Sequence, residues 1–110
     1  MTKQEIFDKV WKFFIVEKHR KSVNNGTCLY RSRDSKCAVG CLIPDELYEE
    51  EMETSPVSEL MKGSHPLSVL LGGQENIKFL QLLQSAHDTS PIKYFTEDFR
   101  ECLISIAKRF

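Results

Sequence analysis

Between two stretches of helical periodicity lies one seventeen-residue block, Thr27 to Ile43, in which side chains alternate with a period of two. Cys28, Tyr30 and Ser32 share one face of an extended segment, and Cys37, Val39 and Cys41 share one face of another. With Arg33-Asp34-Ser35-Lys36 as the loop, the block reads as a β-hairpin that sets Tyr30 opposite Val39 and Cys28 opposite Cys41. A helical reading would put Cys37 and Cys41 one turn apart, but Val39 and Gly40 disfavour it. One hairpin set among helices limits the fold to the α+β class.

The flanks supply the helices. Thr2-Lys3-Gln4-Glu5 is a capping box, and Ile6, Phe7, Val10, Trp11, Phe14 and Ile15 follow at helical spacing, predicting a helix to about residue 19. Lys18, His19, Arg20 and Lys21 suit its negative end, and Asn24-Asn25-Gly26 stops it. After Pro44 the chain reads as short helices. One opens at Pro44 or Asp45 and runs through Leu47, Tyr48 and Met52. Ser55-Pro56 and His65-Pro66 each place a capping residue before a first-turn proline, and Gly72-Gly73 ends the third segment. A strong helix is expected from Gln74 to about Ala86. A last one is capped by Thr96, with Phe99, Cys102, Leu103, Ile106, Ala107 and Phe110 as its buried stripe. The expected architecture is a single small domain over residues 1–110: an N-terminal helix, one β-hairpin and several packed helices.

No apolar run approaches a membrane span, and the opening MTKQEIFDKV lacks the apolar stretch of a signal peptide. The expected compartment is therefore the cytoplasm, where thiols stay reduced. Net charge is −1 but unevenly distributed. Residues 1–40 carry nine Lys/Arg against four acids, and residues 41–110 carry six against twelve. The basic half falls short of the Lys/Arg-rich, high-pI footprint of a nucleic-acid binder. Opposed charged faces can dock a charged partner, and such segregation also arises by chance in small domains.

Three of the four cysteines lie in the block, so a metal or thiol site must be weighed. Cys28, Cys37 and Cys41, with His87 as a distant fourth, form the candidate zinc set. Eight residues separate the first two and three the next, so only one pair has the usual ligand spacing. A Cys28–Cys41 disulfide fits the hairpin geometry but not a reducing compartment. A catalytic thiol would need a base. His87-Asp88 is the nearest suggestion, yet adjacent residues on one helix serve each other poorly, and both read better as helix-end groups. The remaining reading makes the cysteines small apolar residues in a tight core. No cofactor is expected, and no catalytic residue is assigned.

Arg31, Arg33 and Lys36 occupy the predicted hairpin tip, with Lys18 to Lys21 nearby, and could grip an acidic protein surface or a phosphate. On the other side of the charge balance, Asp45 to Glu53 forms an acidic run that reads as a solvated helix face, with Glu49, Glu50 and Glu53 as candidate contacts. No glycine-rich phosphate loop, nucleophile elbow or His-Glu-x-x-His motif is present.

Cys28-Leu29-Tyr30-Arg31 followed by Lys36-Cys37-Ala38-Val39-Gly40-Cys41-Leu42-Ile43-Pro44-Asp45 resembles the hallmark of a group of small bacterial and bacteriophage proteins. The start Lys3 to Val10 and the element Leu83-Gln84 with His87-Asp88 are similar as well. The resemblance carries over no catalytic residue. It implies a phage or mobile-element setting, in the host cytoplasm, where small single-domain proteins often bind and disable a host protein. The expected function is accordingly a non-enzymatic protein-binding module, an inhibitor of a host enzyme or defence system. The alternatives are an immunity protein that covers a toxin, and a small zinc- or thiol-dependent enzyme or metal-stabilised nucleic-acid binder.

Overall fold

The computed structural model describes every residue except Asn25, Gly26, Asp34, Gly63 and Ser64. It is an α+β domain: an N-terminal helix, a two-stranded antiparallel hairpin, and helices packed around one core. Helix α1 spans Lys3–Trp11 and opens with the capping box, in which the Glu5 amide donates to Thr2 Oγ1 (3.1 Å) and the Thr2 amide donates to Glu5 Oε1 (2.9 Å). These bonds to Thr2 hold the Glu5 carboxyl below its ordinary range. Ile6, Val10 and Phe14 come four residues apart and are fully buried.

From Lys12 to Val16 the helix widens into a π-helical turn, with the Glu17 amide reaching back to the Lys12 carbonyl (2.8 Å). Phe13 then stacks on His19 (centroids 3.8 Å apart), while Phe14 packs edge-on against Phe99 (5.0 Å) and His87 (5.6 Å). The chain leaves this turn through Lys18 at φ 56°, a left-handed conformation that usually falls to glycine at a helix end.

Strands β1 (Val23–Asn24) and β2 (Thr27–Cys28) pair antiparallel, Val23 opposite Cys28 and Asn24 opposite Thr27. The Asn25-Gly26 part of the expected stop signal lies outside the described residues. The hairpin is therefore built differently from the sequence expectation. The strand carrying Cys28 pairs backward with residues 23–24, and the forward partner is reduced to one bridge, Arg31 with Lys36. Neither Tyr30 with Val39 nor Cys28 with Cys41 forms a pair. After the Cys37 amide donates to the Tyr30 carbonyl (3.1 Å), the chain turns into a 3-10 helix over Gly40–Leu42. Cys37, Ala38, Val39 and Gly40 are buried in succession, which a strand with one solvent face cannot do. Gly40 makes this approach possible, since a Cβ there would sit 1.9 Å from the Tyr30 carbonyl oxygen.

Beyond Pro44 the expected helix is replaced by 3-10 turns at Asp45–Leu47 and Glu50–Thr54. Helix α2 is one turn, Val57–Leu60, with Pro56 rather than Ser55 at its cap position. Helix α3, Pro66–Leu70, starts as the sequence predicts: His65 Nδ1 accepts from the Leu67 amide (3.1 Å), with Pro66 in the first turn. Gly72 and Gly73, at φ 92° and 65°, turn the chain into α4 (Ile77–Thr89). Helix α5 spans Phe95–Ala107. Its cap position is Tyr94, at φ 64° with no side-chain cap, so Thr96 lies inside the helix instead of capping it. Phe99, Leu103 and Ile106 are buried as expected, whereas Ala107 and Phe110 are exposed. No helix among the described residues is long and apolar enough to cross a membrane.

Candidate functional site

The last turn of α4 presents His87 and Asp88 to β2, and the ligand atoms of Cys28, His87 and Asp88 lie within 4.8 Å of one another. His87 is fully buried between Phe14, Phe95 and Phe99. Its Nε2 accepts from the Ser22 amide (3.2 Å), so that nitrogen carries the lone pair. The proton is then on Nδ1, which donates to Asp88 Oδ1 (2.9 Å). The adjacent histidine and aspartate thus serve each other directly, contrary to the sequence expectation. A metal on Nδ1 would move the proton to Nε2, where it would face the Ser22 N–H. The neutral imidazole therefore has both nitrogens committed, and these residues do not fit a zinc centre.

Cys37 and Cys41 lie apart from this group. Cys37 Sγ accepts from the Gly40 amide (3.2 Å), and Cys41 Sγ lies 3.1 Å from the Ala38 carbonyl, to which it donates. The four cysteines are free thiols. Burial, followed by the Asp88 carboxylate, raises the Cys28 thiol above its ordinary range. Burial also raises Cys37 and pushes Cys41 up to about 12. A nucleophilic cysteine needs the opposite shift. Burial works against ionisation of Asp88 too, but hydrogen bonds from His87 and Gln84 outweigh it and hold that carboxyl low.

The same helix end fastens the cysteine block. Gln84 Oε1 accepts from the Val39 amide (3.0 Å) while its Nε2 donates to Asp88 Oδ1 (2.8 Å). The cysteine block and the Leu83-Gln84…His87-Asp88 element, far apart in sequence, are thus one hydrogen-bonded unit. Cys28, His87 and Asp88 form a polar cluster that runs from the core to the surface, with His87 buried, Cys28 half-buried and Asp88 exposed.

Among the charged candidates, Arg31 and Glu53 are internal fastenings. Arg31 Nη2 donates to Asp45 Oδ1 (2.8 Å) and to the Ile43 carbonyl (2.8 Å), and its guanidinium lies 4.5 Å over the Tyr48 ring. Glu53 accepts from the Tyr30 amide (2.8 Å), the Arg31 amide (3.0 Å) and the Tyr48 hydroxyl (2.5 Å). Burial and this carboxylate push the Tyr48 hydroxyl up to about 12. Arg33, Glu49 and Glu50 are exposed, and Lys36 is half-buried, 3.9 Å from Asp45.

The expected proximity of the loop tip to the Lys18–Lys21 run takes a definite form. The Ser35 hydroxyl donates to the Arg20 carbonyl (2.5 Å), and Ser32 lines an open cleft of about 660 Å³ together with Lys18, His19, Arg20 and Lys21. Tyr94, Thr96 and Glu97 line it from the start of α5, so the positive end of that helix dipole faces the cleft together with one carboxylate of its first turn. Lys21 is already used internally, its Nζ donating to the Asp88 and Ser90 carbonyls (2.8 Å each). Lys18 and Arg20 are exposed. The density of cations at 18–21 was visible in the sequence; their placement against the start of α5 was not. No protein-family model, curated protein or solved structure matches the chain.

Proposed function

We propose that the protein is a non-enzymatic binding module that docks on an acidic surface of another protein, as a phage-encoded inhibitor of a host enzyme or defence system would. An immunity protein covering a toxin would use the same mechanism on a different partner. The observation that carries this reading is that the Lys18–Lys21 run lines an open cleft which the loop bearing Arg33 joins through Ser32. Lys18, Arg20 and Lys21 outnumber the single acid of the lining, Glu97, and a mainly positive cleft concentrates the opposite charge and speeds encounter with an acidic partner. The chemistry inside the domain supports binding over catalysis: the raised thiols are poor nucleophiles, and His87 has no free nitrogen. Arg33 and Lys36 remain the tip contacts, and Glu49 and Glu50 offer a second, acidic patch.

Capture from a bacterial lysate, run in parallel with wild type and the double variant Arg20→Glu/Arg33→Glu, tests this reading. Wild type should retain a stoichiometric protein that raised salt releases, and the variant should lose it by about tenfold or more. Recovery that charge reversal leaves unchanged, or no stoichiometric partner at all, overturns the proposal.

A further inference from the structure

Opposite in character to the cleft is the seam between α1 and α5. Two shallow depressions there, of about 490 and 270 Å³, share Phe7 and Ala107 and make one continuous groove. The helices run antiparallel along it. Trp11 lies under the Arg100 guanidinium at one end, Phe7 meets Ile104 and Ala107 in the middle, and Gln4 lies by Phe110 at the other end. Trp11 stacks on Phe7 with centroids 6.0 Å apart, and Arg100 lies 5.9 Å over the indole. Tryptophan, phenylalanine and arginine grouped in this way are the residues that dominate interface energies. Phe110 is 56% exposed at the groove's end.

The charges on the rims select the occupant. Asp8 stands on the α1 rim and Lys108 on the α5 rim of the same depression. Both are exposed, and neither makes an ion pair among the described residues, the Asp8 carboxylate accepting a neutral hydrogen bond from Gln4 Nε2 (2.8 Å). Lys3, in the other depression, is turned to the Glu75 carbonyl and Asn76 Oδ1, so the facing rims around Phe7 and Trp11 carry one unpaired charge of each sign, and such a surface is complementary to itself. A two-fold axis along the groove lays α1 of one chain over α5 of the other. Asp8 then meets Lys108 of the second copy, and the pairing occurs twice, as an isologous interface requires. The result is a four-helix contact with Phe7, Trp11 and Ile104 at its centre.

We infer that this groove is the dimer interface of the protein, its occupant being a second copy of the same chain. This is a different face from the basic cleft, so the inference stands independently of what the cleft binds.

Sedimentation equilibrium between about 1 and 100 μM resolves a micromolar dimer by mass action. Wild type should show twice the 12.7 kDa chain mass at the upper concentrations. Asp8→Lys and Lys108→Asp should each weaken association by about tenfold or more, and the double variant Asp8→Lys/Lys108→Asp should restore it, since the pair is only exchanged. Far-UV circular dichroism confirms that each variant is folded. A single-chain mass for wild type throughout the range overturns the inference and leaves the groove to a different protein. Single variants that associate as wild type does, or a double variant no stronger than the singles, overturn the proposed pairing.

Discussion

Glu53 shows how far a side chain's position can depart from what its neighbours in sequence suggest. It belongs to a run of acids that reads as a solvated face, yet its carboxylate accepts hydrogen bonds from two backbone amides and a tyrosine hydroxyl. Those bonds tie the 3-10 turn at Glu50–Thr54 to the loop that leads into the Arg31–Lys36 bridge. Glu53→Ala leaves the Tyr30 and Arg31 amides without their acceptor beside a buried tyrosine. At about 1–3 kcal/mol for each orphaned buried donor, partly relieved by water, the variant should lose about 2–4 kcal/mol of stability in urea titrations. Glu50→Ala, a change at an exposed neighbour, should stay within about 0.5 kcal/mol of wild type. Equal midpoints for the two variants would remove the role assigned to Glu53. Arg31 follows the same logic from the opposite charge. Held by Asp45, the Ile43 carbonyl and the Tyr48 ring, it braces the turn that Pro44 begins, leaving Arg33 as the exposed cation of the tip.

The segment from Cys37 to Leu42 makes the corresponding point for an element. Its backbone crosses Tyr30 at a distance only glycine permits, so Gly40→Ala sets a methyl carbon 1.9 Å from a carbonyl oxygen and one of the two backbones must move. The expected cost is about 3 kcal/mol or more, a fall of roughly 12 °C or more in melting temperature, or failure to fold. A melting curve matching wild type would show that the crossing is loose. This crossing also explains which features were legible in the sequence. The helices with local signals were readable, because the Thr2–Glu5 box and His65-Pro66 define their own starts through bonds a few residues long. The α+β class was also reached, but through a hairpin other than the one that forms. The strand partner was not readable, because alternation at 28, 30, 32 and at 37, 39, 41 is equally compatible with a segment buried on every side. What distinguishes the two is cover from α4, through Gln84 bonding the Val39 amide 45 residues away, and no local pattern encodes that. The candidate site divides in the same way. Cations at 18–21 and at the loop tip were visible as residue types, whereas the cleft that the 18–21 run lines is completed by the start of α5, where Tyr94 holds a left-handed turn.

Across the whole molecule, the ionisable groups that burial or hydrogen bonds perturb fix a window of pH in which the fold is most stable. Asp88 has a depressed carboxyl, so its contribution is present above the ordinary carboxylate range and is lost as pH falls through its folded value. The thiols work in the other direction. Burial raises Cys28, Cys37 and Cys41, the last to about 12, so each is protonated in the folded chain while the unfolded chain ionises near 9. Below that ordinary value their contribution is complete. Above it the unfolded state gains thiolates that the folded state cannot, and stability falls with rising pH until the folded values are passed. Cys37 and Cys41 each remove up to about 1.4 kcal/mol per pH unit in that interval, and the more exposed Cys28 removes less. Thermal melts under a phosphine reductant should therefore be level from about pH 6 to 8 and fall steeply above about 9. Cys41→Ala should lose some stability at neutral pH from its missing sulfur, yet show a shallower alkaline decline than wild type. A melting temperature that holds level to about pH 10.5 would mean that the thiols ionise in place. That result would return the cysteine block to the chemistry its composition first suggests. A steep alkaline limb, flattened by Cys41→Ala, instead marks the sulfurs as part of the core and leaves the outward surfaces, the basic cleft and the α1–α5 groove, to carry the protein's interactions.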